Sequence, residues 1–367
     1  MNPTNRWAER PFIVIWEVTR ACALACRHCR AEAIHRRDPR ELNAAQVQRF
    51  LDQVARAAPK VFVLTGGDPM MRPDLLEIIA SATERGLHVS MSPSATPRFV
   101  KADLCRFRDV GLHRVSLSID GASRETHDRF RGVPGTWDRT MESIGAAREA
   151  GIEVQINTTF TRQNLGEFDA FVRLLDEIRP SLWSVFQLVP TGRAQMSDLL
   201  SAEEMETLFE KLFALSQRVR FPIKTTEGQH YRRVTLQQWK RNPQLPVTAL
   251  LPVNDGNGFV FVSHTGDIQP SGFLPITAGN VREQELLDVY RDSPLFRELR
   301  QPDLLKGKCR RCEFRTICGG SRARAYAMTG DYLAEEPLCI YQPPADDHRR
   351  EGGDRVQRVE GALCSST

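Results

Sequence analysis

Six short apolar runs alternate with six helix-period segments through the first 220 residues, and this alternation limits the fold more than any other feature of the chain. The runs are Phe12–Val18, Val61–Thr65, His88–Ser92, Arg114–Ile119, Glu153–Phe160 and Leu182–Val189. Ala44–Ala58, Asp74–Arg85, Arg98–Val110, Trp137–Ala150, Gly166–Ile178 and Ala202–Val219 carry apolar residues at three- and four-residue spacing, the period of a helix with one buried face. Asp74, after Pro73, is placed to open a helix, and Gly86, Gly111 and Gly151 to close one. A β-then-α order repeated in this way predicts an α/β fold with a parallel sheet and right-handed crossovers. Six units suit a partial (β/α)6 barrel better than a closed eight-unit one, with an open doubly wound sheet as the alternative. From about Phe221 the rhythm changes. Glycines punctuate Phe259–Ser263 and Asp267–Gln269, which read as a hairpin, and short helical pieces follow at Glu285–Arg291 and Pro294–Arg300. The predicted division is therefore a barrel over 1–220, a smaller loop-rich module over 221–342 that needs a metal to order it, and a polar, mobile tail over 343–367.

Cysteine carries the chemistry. Of nine cysteines, seven fall into two tight groups, Cys22, Cys26, Cys29 and Cys309, Cys312, Cys318, Cys339. Cys364 falls in the tail, and Cys105 is expected in the core on an apolar helix face. The start, MNPTNRWAER, has no apolar signal core, and no run approaches the ~20 apolar residues of a membrane span. The expected setting is the cytoplasm, where thiols stay reduced and clustered cysteines bind metal. Charged residues at 26% and hydrophobic ones at 41% exclude a disordered, collagen-like or coiled-coil chain, and a net charge of +4 gives no reason to expect nucleic acid or membrane as a partner. Cys22, Cys26 and Cys29 follow directly on the first strand. Three thiolates hold three corners of a cubic iron–sulfur cluster and leave the fourth iron open, the mark of a reactive metal site. The alternatives are a zinc site completed by His28 or His35, or unligated thiols.

The spacing C-x3-C-x2-C with His28 before the last cysteine resembles the radical S-adenosylmethionine (SAM) enzymes. The resemblance continues along the first half. Thr65-Gly66-Gly67-Asp68-Pro69 is similar to the family's Gly-Gly-Glu-Pro segment, with Asp68 one methylene shorter, and Ala23 stands where many relatives carry Asn. Ser116, Ser118 and Asp120 on the fourth strand resemble the ribose-binding strand. His127 to Gly132 resembles the segment that follows it, whose arginine maps to Arg131. The resemblance implies a [4Fe–4S] cluster with an open iron, and SAM held by Gly66, Gly67, Asp68 and Pro69 at its amino group. It also implies Ser116, Ser118 and Asp120 at the ribose, Arg131 at the carboxylate, and Asn157, Thr158 and Val189 at the adenine and methionine. One electron from the cluster would cleave the sulfonium bond, releasing a 5′-deoxyadenosyl radical that abstracts a substrate hydrogen. No catalytic acid or base is identified.

Cys309-x2-Cys312-x5-Cys318-x20-Cys339 supplies four thiolates, enough to close a second [4Fe–4S] cluster or a structural zinc site. The pattern resembles the C-terminal auxiliary-cluster module called SPASM. Serine replaces a thiol in Gly266-x4-Ser271, no cysteine lies near Asp255, and Arg322 stands where a last thiol belongs. The resemblance thus implies one auxiliary [4Fe–4S] cluster, fully ligated. The stretch from Cys318 to Cys339 is most similar to radical SAM proteins that modify tetrapyrrole side chains, whose substrates bear propionates. Arg322 and Arg324 would pair with those carboxylates, or else are solvated or balance thiolate charge. A maturase of a ribosomally made peptide is the second reading, and a non-catalytic iron–sulfur electron-transfer or zinc-binding protein the third. A low-potential donor such as flavodoxin or ferredoxin is the implied electron partner. His230 and His264 are expected to be satisfied structural histidines.

Overall fold

The computed structural model describes residues 7–246 and 250–344. The predicted tail beyond Pro344, with Cys364, lies outside the described residues. Seven strands run parallel in chain order: β1 (Ile13–Thr19), β2 (Val61–Gly66), β3 (Val89–Met91), β4 (Leu112–Ser118), β5 (Glu153–Phe160), β6 (Leu182–Gln187) and β7 (Ile223–Thr226). Between them run α1 (Ala44–Ala57), α2 (Leu75–Glu84), α3 (Pro97–Val100), α4 (Leu104–Asp109), α5 (Arg124–Arg131), α6 (Thr136–Glu149), α7 (Phe168–Ile178) and α8 (Ala202–Ser216). Val14, Trp16, Phe62, Leu64, Val115 and Val185 meet helix residues such as Phe50, Ile79 and Phe171 in one continuous core. Reciprocal side-chain caps, Asn43 with Gln46 and Ser201 with Glu204, open α1 and α8. Gly86, Gly111 and Gly151, all at positive φ, follow directly on the ends of α2, α4 and α6.

The barrel expectation holds, with local differences. Arg98–Val110 is two helices, because the Asp103 side chain caps the Arg106 N–H and starts a new one. In that short α4, Leu104 is buried and Cys105 is exposed, so Cys105 is not a core residue. The sheet also runs past residue 220: β7 pairs with β6, and β8 (Phe259–Val262) pairs in parallel with the other side of β1. The hairpin partner β9 (Asp267–Gln269) and β10 (Gly279–Asn280) add antiparallel strands, giving the order β10-β9-β8-β1-β2-β3-β4-β5-β6-β7. With β7 and β10 at the two ends of that order, the barrel is open. After β7 comes α9 (Tyr231–Arg241), and α10 (Leu286–Asp292), α11 (Pro294–Leu299), α12 (Gly307–Arg311) and α13 (Arg322–Thr329) complete the module. Among the described residues no helix is long and apolar enough to cross a membrane.

Candidate functional site

The loop after β1 carries Cys22, Cys26 and Cys29 at the carboxyl end of the parallel strands, where α/β folds place their ligands. Arg20 staples the loop by donating to the Ala31 carbonyl, and the Cys22 N–H donates to Ile34 O at 2.8 Å. Each sulfur receives a donor. The Leu24 N–H lies 3.3 Å from Cys22 Sγ, the Ala33 N–H 3.5 Å from Cys29 Sγ, and Arg131 Nη1 3.5 Å from Cys26 Sγ. Such donors suit thiolates, the form that holds iron. Burial, the largest influence on Cys22, pushes its thiol upward.

The glycines after β2 are there for space. A Cβ on Gly66 would stand 2.3 Å from Thr19 O, and one on Gly67 2.5 Å from both Arg20 O and Ala21 O. Their absence lets Gly67 N donate to Thr19 O at 2.8 Å and Asp68 N to Ala21 O at 2.7 Å, laying the end of β2 against the cysteine loop. Pro69 then opens a short 3-10 turn. The Asp68 carboxylate is fully buried, which raises its pKa, and it accepts from Met70 N, Ser94 N and Thr96 Oγ1. That narrows the part expected of it: three of its acceptor positions fasten the β2 and β3 loops.

Ser116 and Ser118 share one face of β4, and Ser118 lies in register with Asn157 on β5. Asn157 accepts from Gln155 Nε2 at 2.7 Å, whereas Thr158 points into the core and accepts from Trp183 Nε1. Asp120 and Arg131, expected at opposite ends of SAM, are drawn to each other: Arg131 Nε lies 3.3 Å from Asp120 Oδ2, and Asp120 Oδ1 accepts from Thr159 N at 2.7 Å. Burial works against the Arg131 charge, but Asp120 and the Cys26 sulfur outweigh it and hold the guanidinium protonated. His28 packs on Phe130 at 4.4 Å with Nε2 3.9 Å from Asp120, and burial lowers its pKa to about 4 although Asp120 pulls the other way. His35 is exposed, and among the described residues no three His, Cys, Asp or Glu side chains are gathered to hold a single metal ion. Val189 differs from expectation: it is buried against Leu274 and Ala323 of the module.

Two site features escaped the sequence reading. Ser94, after β3, touches both Cys22 Sγ at 3.6 Å and Gly67 O at 3.3 Å. Arg193, after β6, donates its main-chain N–H to Cys29 O at 3.1 Å, and its Nε and Nη2 are buried without partners. The signal for Arg193 was the glycine before it, since a Cβ at Gly192 would stand 2.5 Å from Cys29 O.

In the module, Cys309, Cys312, Cys318 and Cys339 line one cavity of about 370 Å³, part of it open to solvent, together with His230, Arg233 and Lys308. Gly319 and Gly320, both at φ +65°, turn the chain from Cys318 into α13. Burial pushes the Cys309 and Cys339 thiols up and Cys312 to about 12. Arg322 and Arg324 are 2% and 0% exposed, so neither is solvated and neither faces a substrate. Arg322 donates to Tyr332 O and Ala334 O, and Arg324 is ion-paired with Glu336 at 2.8 Å and donates to Glu227 O at 2.9 Å. Asp255 accepts from Arg322 N and Ala323 N, while Ser271, also buried, accepts from Phe273 N.

A parallel open barrel with three cysteines on the loop after β1 and a diglycine pressed against them defines a class, and the Radical SAM superfamily profile matches residues 16–175. The chain belongs to the radical SAM superfamily: it is an enzyme that binds a [4Fe–4S] cluster and SAM. It is 41% identical over 353 residues to an AdoMet-dependent heme synthase of Oleidesulfovibrio alaskensis, covering 92% of this chain and 90% of that one. It is 30% identical over 357 residues to an Fe-coproporphyrin III synthase of Methanosarcina barkeri, covering 90% and 88%. In fold it is similar to Streptococcus suis SuiB bound to S-adenosylmethionine, with a TM-score of 0.70 at 18% identity over 91% of this chain and 78% of that one.

Proposed function

We propose that this enzyme acts on a side chain of a propionate-bearing tetrapyrrole, with one auxiliary iron–sulfur cluster in its module. The observation that carries the substrate reading is the 41% identity, over nearly the whole of both chains, to a relative called a heme synthase. A mycofactocin maturase of Mycobacterium tuberculosis is 29% identical, which makes a peptide substrate the weaker reading.

In this reading Cys22, Cys26 and Cys29 hold the SAM-binding cluster, which supplies the electron that cleaves SAM when it is bound. The donor on each sulfur supports the assignment. The main chain of Gly66 and Gly67 orients the SAM amino group, with Asp68 and Pro69 shaping the turn. Ser116, Ser118 and Asn157 present polar groups from β4 and β5 to the nucleoside. Arg131, with Asp120 as its counter-ion, keeps positive charge beside Cys26, and Val189 packs the barrel against Leu274 and Ala323 of the module. The (β/α)6 barrel, β7 included, is the catalytic unit, and residues from α9 to Tyr341 form the auxiliary-cluster unit.

Cys309, Cys312, Cys318 and Cys339 hold the auxiliary cluster. Four thiols around one cavity are enough to bind every corner of a cubic cluster. Buried, hydrogen-bonded Asp255, Ser271 and Arg322 fill the positions where a further cluster would need thiols. The setting is the cytoplasm, with a flavodoxin or ferredoxin as electron donor.

The test is anaerobic turnover with SAM, a low-potential reductant and an iron porphyrin bearing propionates. Expected are 5′-deoxyadenosine and a tetrapyrrole of changed mass in fixed proportion. Formation of 5′-deoxyadenosine with the tetrapyrrole intact would overturn the substrate reading.

A further inference from the structure

His230 departs from the rule that buried polar groups find partners. It is 1% exposed, and neither ring nitrogen has a hydrogen-bond partner. The ring sits just ahead of α9, with Phe209 edge-on at 4.7 Å on one side and the four-cysteine cavity on the other. A buried, unsatisfied donor is costly, and a phenylalanine would pack against Phe209 without that cost. A histidine here therefore calls for an acceptor inside the cavity.

The other polar side chains that line the cavity each have a partner, although Arg233 Nε is left unpaired. Arg233 pairs with Glu206 and stays 4.0 Å from Cys339 Sγ, Lys308 donates to the Cys339 carbonyl, and Arg315 lies 3.2 Å from Asp303. Glu336 is held by Arg324, and Tyr341 donates to Glu313. His230 is the one side chain among them whose polar atoms are all buried without a partner, and it shares the cavity wall with the four cysteine sulfurs.

We propose that His230 donates a hydrogen bond from its imidazole N–H to a sulfur of the group held by Cys309, Cys312, Cys318 and Cys339, and so raises that group's reduction potential. The inference rests on the iron–sulfur reading of this site. Reduction adds negative charge to the cluster, so an N–H aimed at its sulfur stabilises the reduced form more than the oxidised one. His230 is a tuning residue here and not a ligand, since four thiolates already match the four corners of a cubic cluster.

The test uses the full-length chain with Cys22, Cys26 and Cys29 replaced by Ala, reconstituted anaerobically so that only the module carries iron, and titrated by EPR against a series of redox potentials. His230→Phe should retain about four irons per chain and show a midpoint shifted to lower potential, and His230→Gln, which restores an N–H donor, should recover part of the shift. An unchanged midpoint in His230→Phe would reduce the ring to packing and overturn the proposal alone. Loss of iron in both His230 variants would make the ring a ligand or scaffold and overturn it as well. If the parent protein takes up no iron at the four cysteines, the iron–sulfur reading and this proposal fall together.

Discussion

Gly67 has no room for a single added carbon: a Cβ there would sit 2.5 Å from two main-chain carbonyl oxygens, and main chain cannot rotate aside. Gly67→Ala should therefore push the end of β2 away from the cysteine loop. Strain of that kind costs about 1–3 kcal/mol, and the loop bears the larger consequence. The first cluster is expected to be lost, with iron dropping by about four per chain while the auxiliary site keeps its own. Iron assay and SAM-binding calorimetry would check this, and a variant that retains both would show that the loop tolerates the displacement. The diglycine and the cysteines were legible in the sequence because spacing along the chain fixes what they can do. The pairing of Arg131 with Asp120 was not. It depends on the turn that α5 makes after β4, and RETHDRFR buries only Thr126, His127 and Phe130, too few apolar side chains to read as a helical stripe.

The seam between barrel and module is a strand pair, β1 with β8, and its polar fastening is compact. Glu17 on β1 lies 2.8 Å from His264 Nδ1 and 3.2 Å from Arg30 Nη1, Arg30 stacks over Phe261 of β8 at 4.7 Å, and Asp38 meets the far nitrogen of His264 at 3.4 Å. His264 is thus the satisfied histidine expected of it. Burial alone would raise the Glu17 carboxyl, but the His264 hydrogen bond and the charges of Arg30 and Arg20 outweigh it and hold the group below its ordinary 4.5. A carboxylate held low by the fold contributes its stability in full above the unfolded value and loses it as pH falls through the folded one. The seam should therefore be intact from neutrality down to pH 4.5 and weaken below it. Urea midpoints measured across that range should fall for the parent protein and fall less for Glu17→Gln, and identical acid limbs would remove Glu17 from the account. None of this pairing could be read in advance. Strands such as β7, four residues and partly exposed, carry little pattern, and which strand neighbours β1 is a long-range choice that local periodicity does not encode.

The three-cysteine loop follows β1 of the ten-stranded sheet, and the four-cysteine module is tied back to the barrel by buried polar contacts. Arg324 of α13 is paired with Glu336, three residues from Cys339, and also donates to Glu227 O, just beyond β7. Val189, just beyond β6, packs on Leu274 and Ala323, so the module also leans on the barrel through an apolar contact. The three-cysteine loop takes its own support from β1, β2 and the turn at Gly192. The two sites are thus joined through the sheet but held by separate contacts, and damage to one should not dismantle the other. Cys312 tests this well, because it packs against the Leu236, Phe314 and Ile317 cluster and, among the described residues, has no hydrogen bond to Arg324 or Glu336. In Cys312→Ser, iron is expected to fall from about eight to about four per chain, with the SAM-cleaving cluster retained. Cleavage should continue while its coupling to substrate is lost: 5′-deoxyadenosine still accumulates under dithionite, and the changed tetrapyrrole falls at least tenfold relative to it. A structural role alone would lower both products together, so their ratio is the quantity that decides. An unchanged ratio with the auxiliary iron gone would mean that the four-cysteine site holds the module in shape and has no part in the reaction.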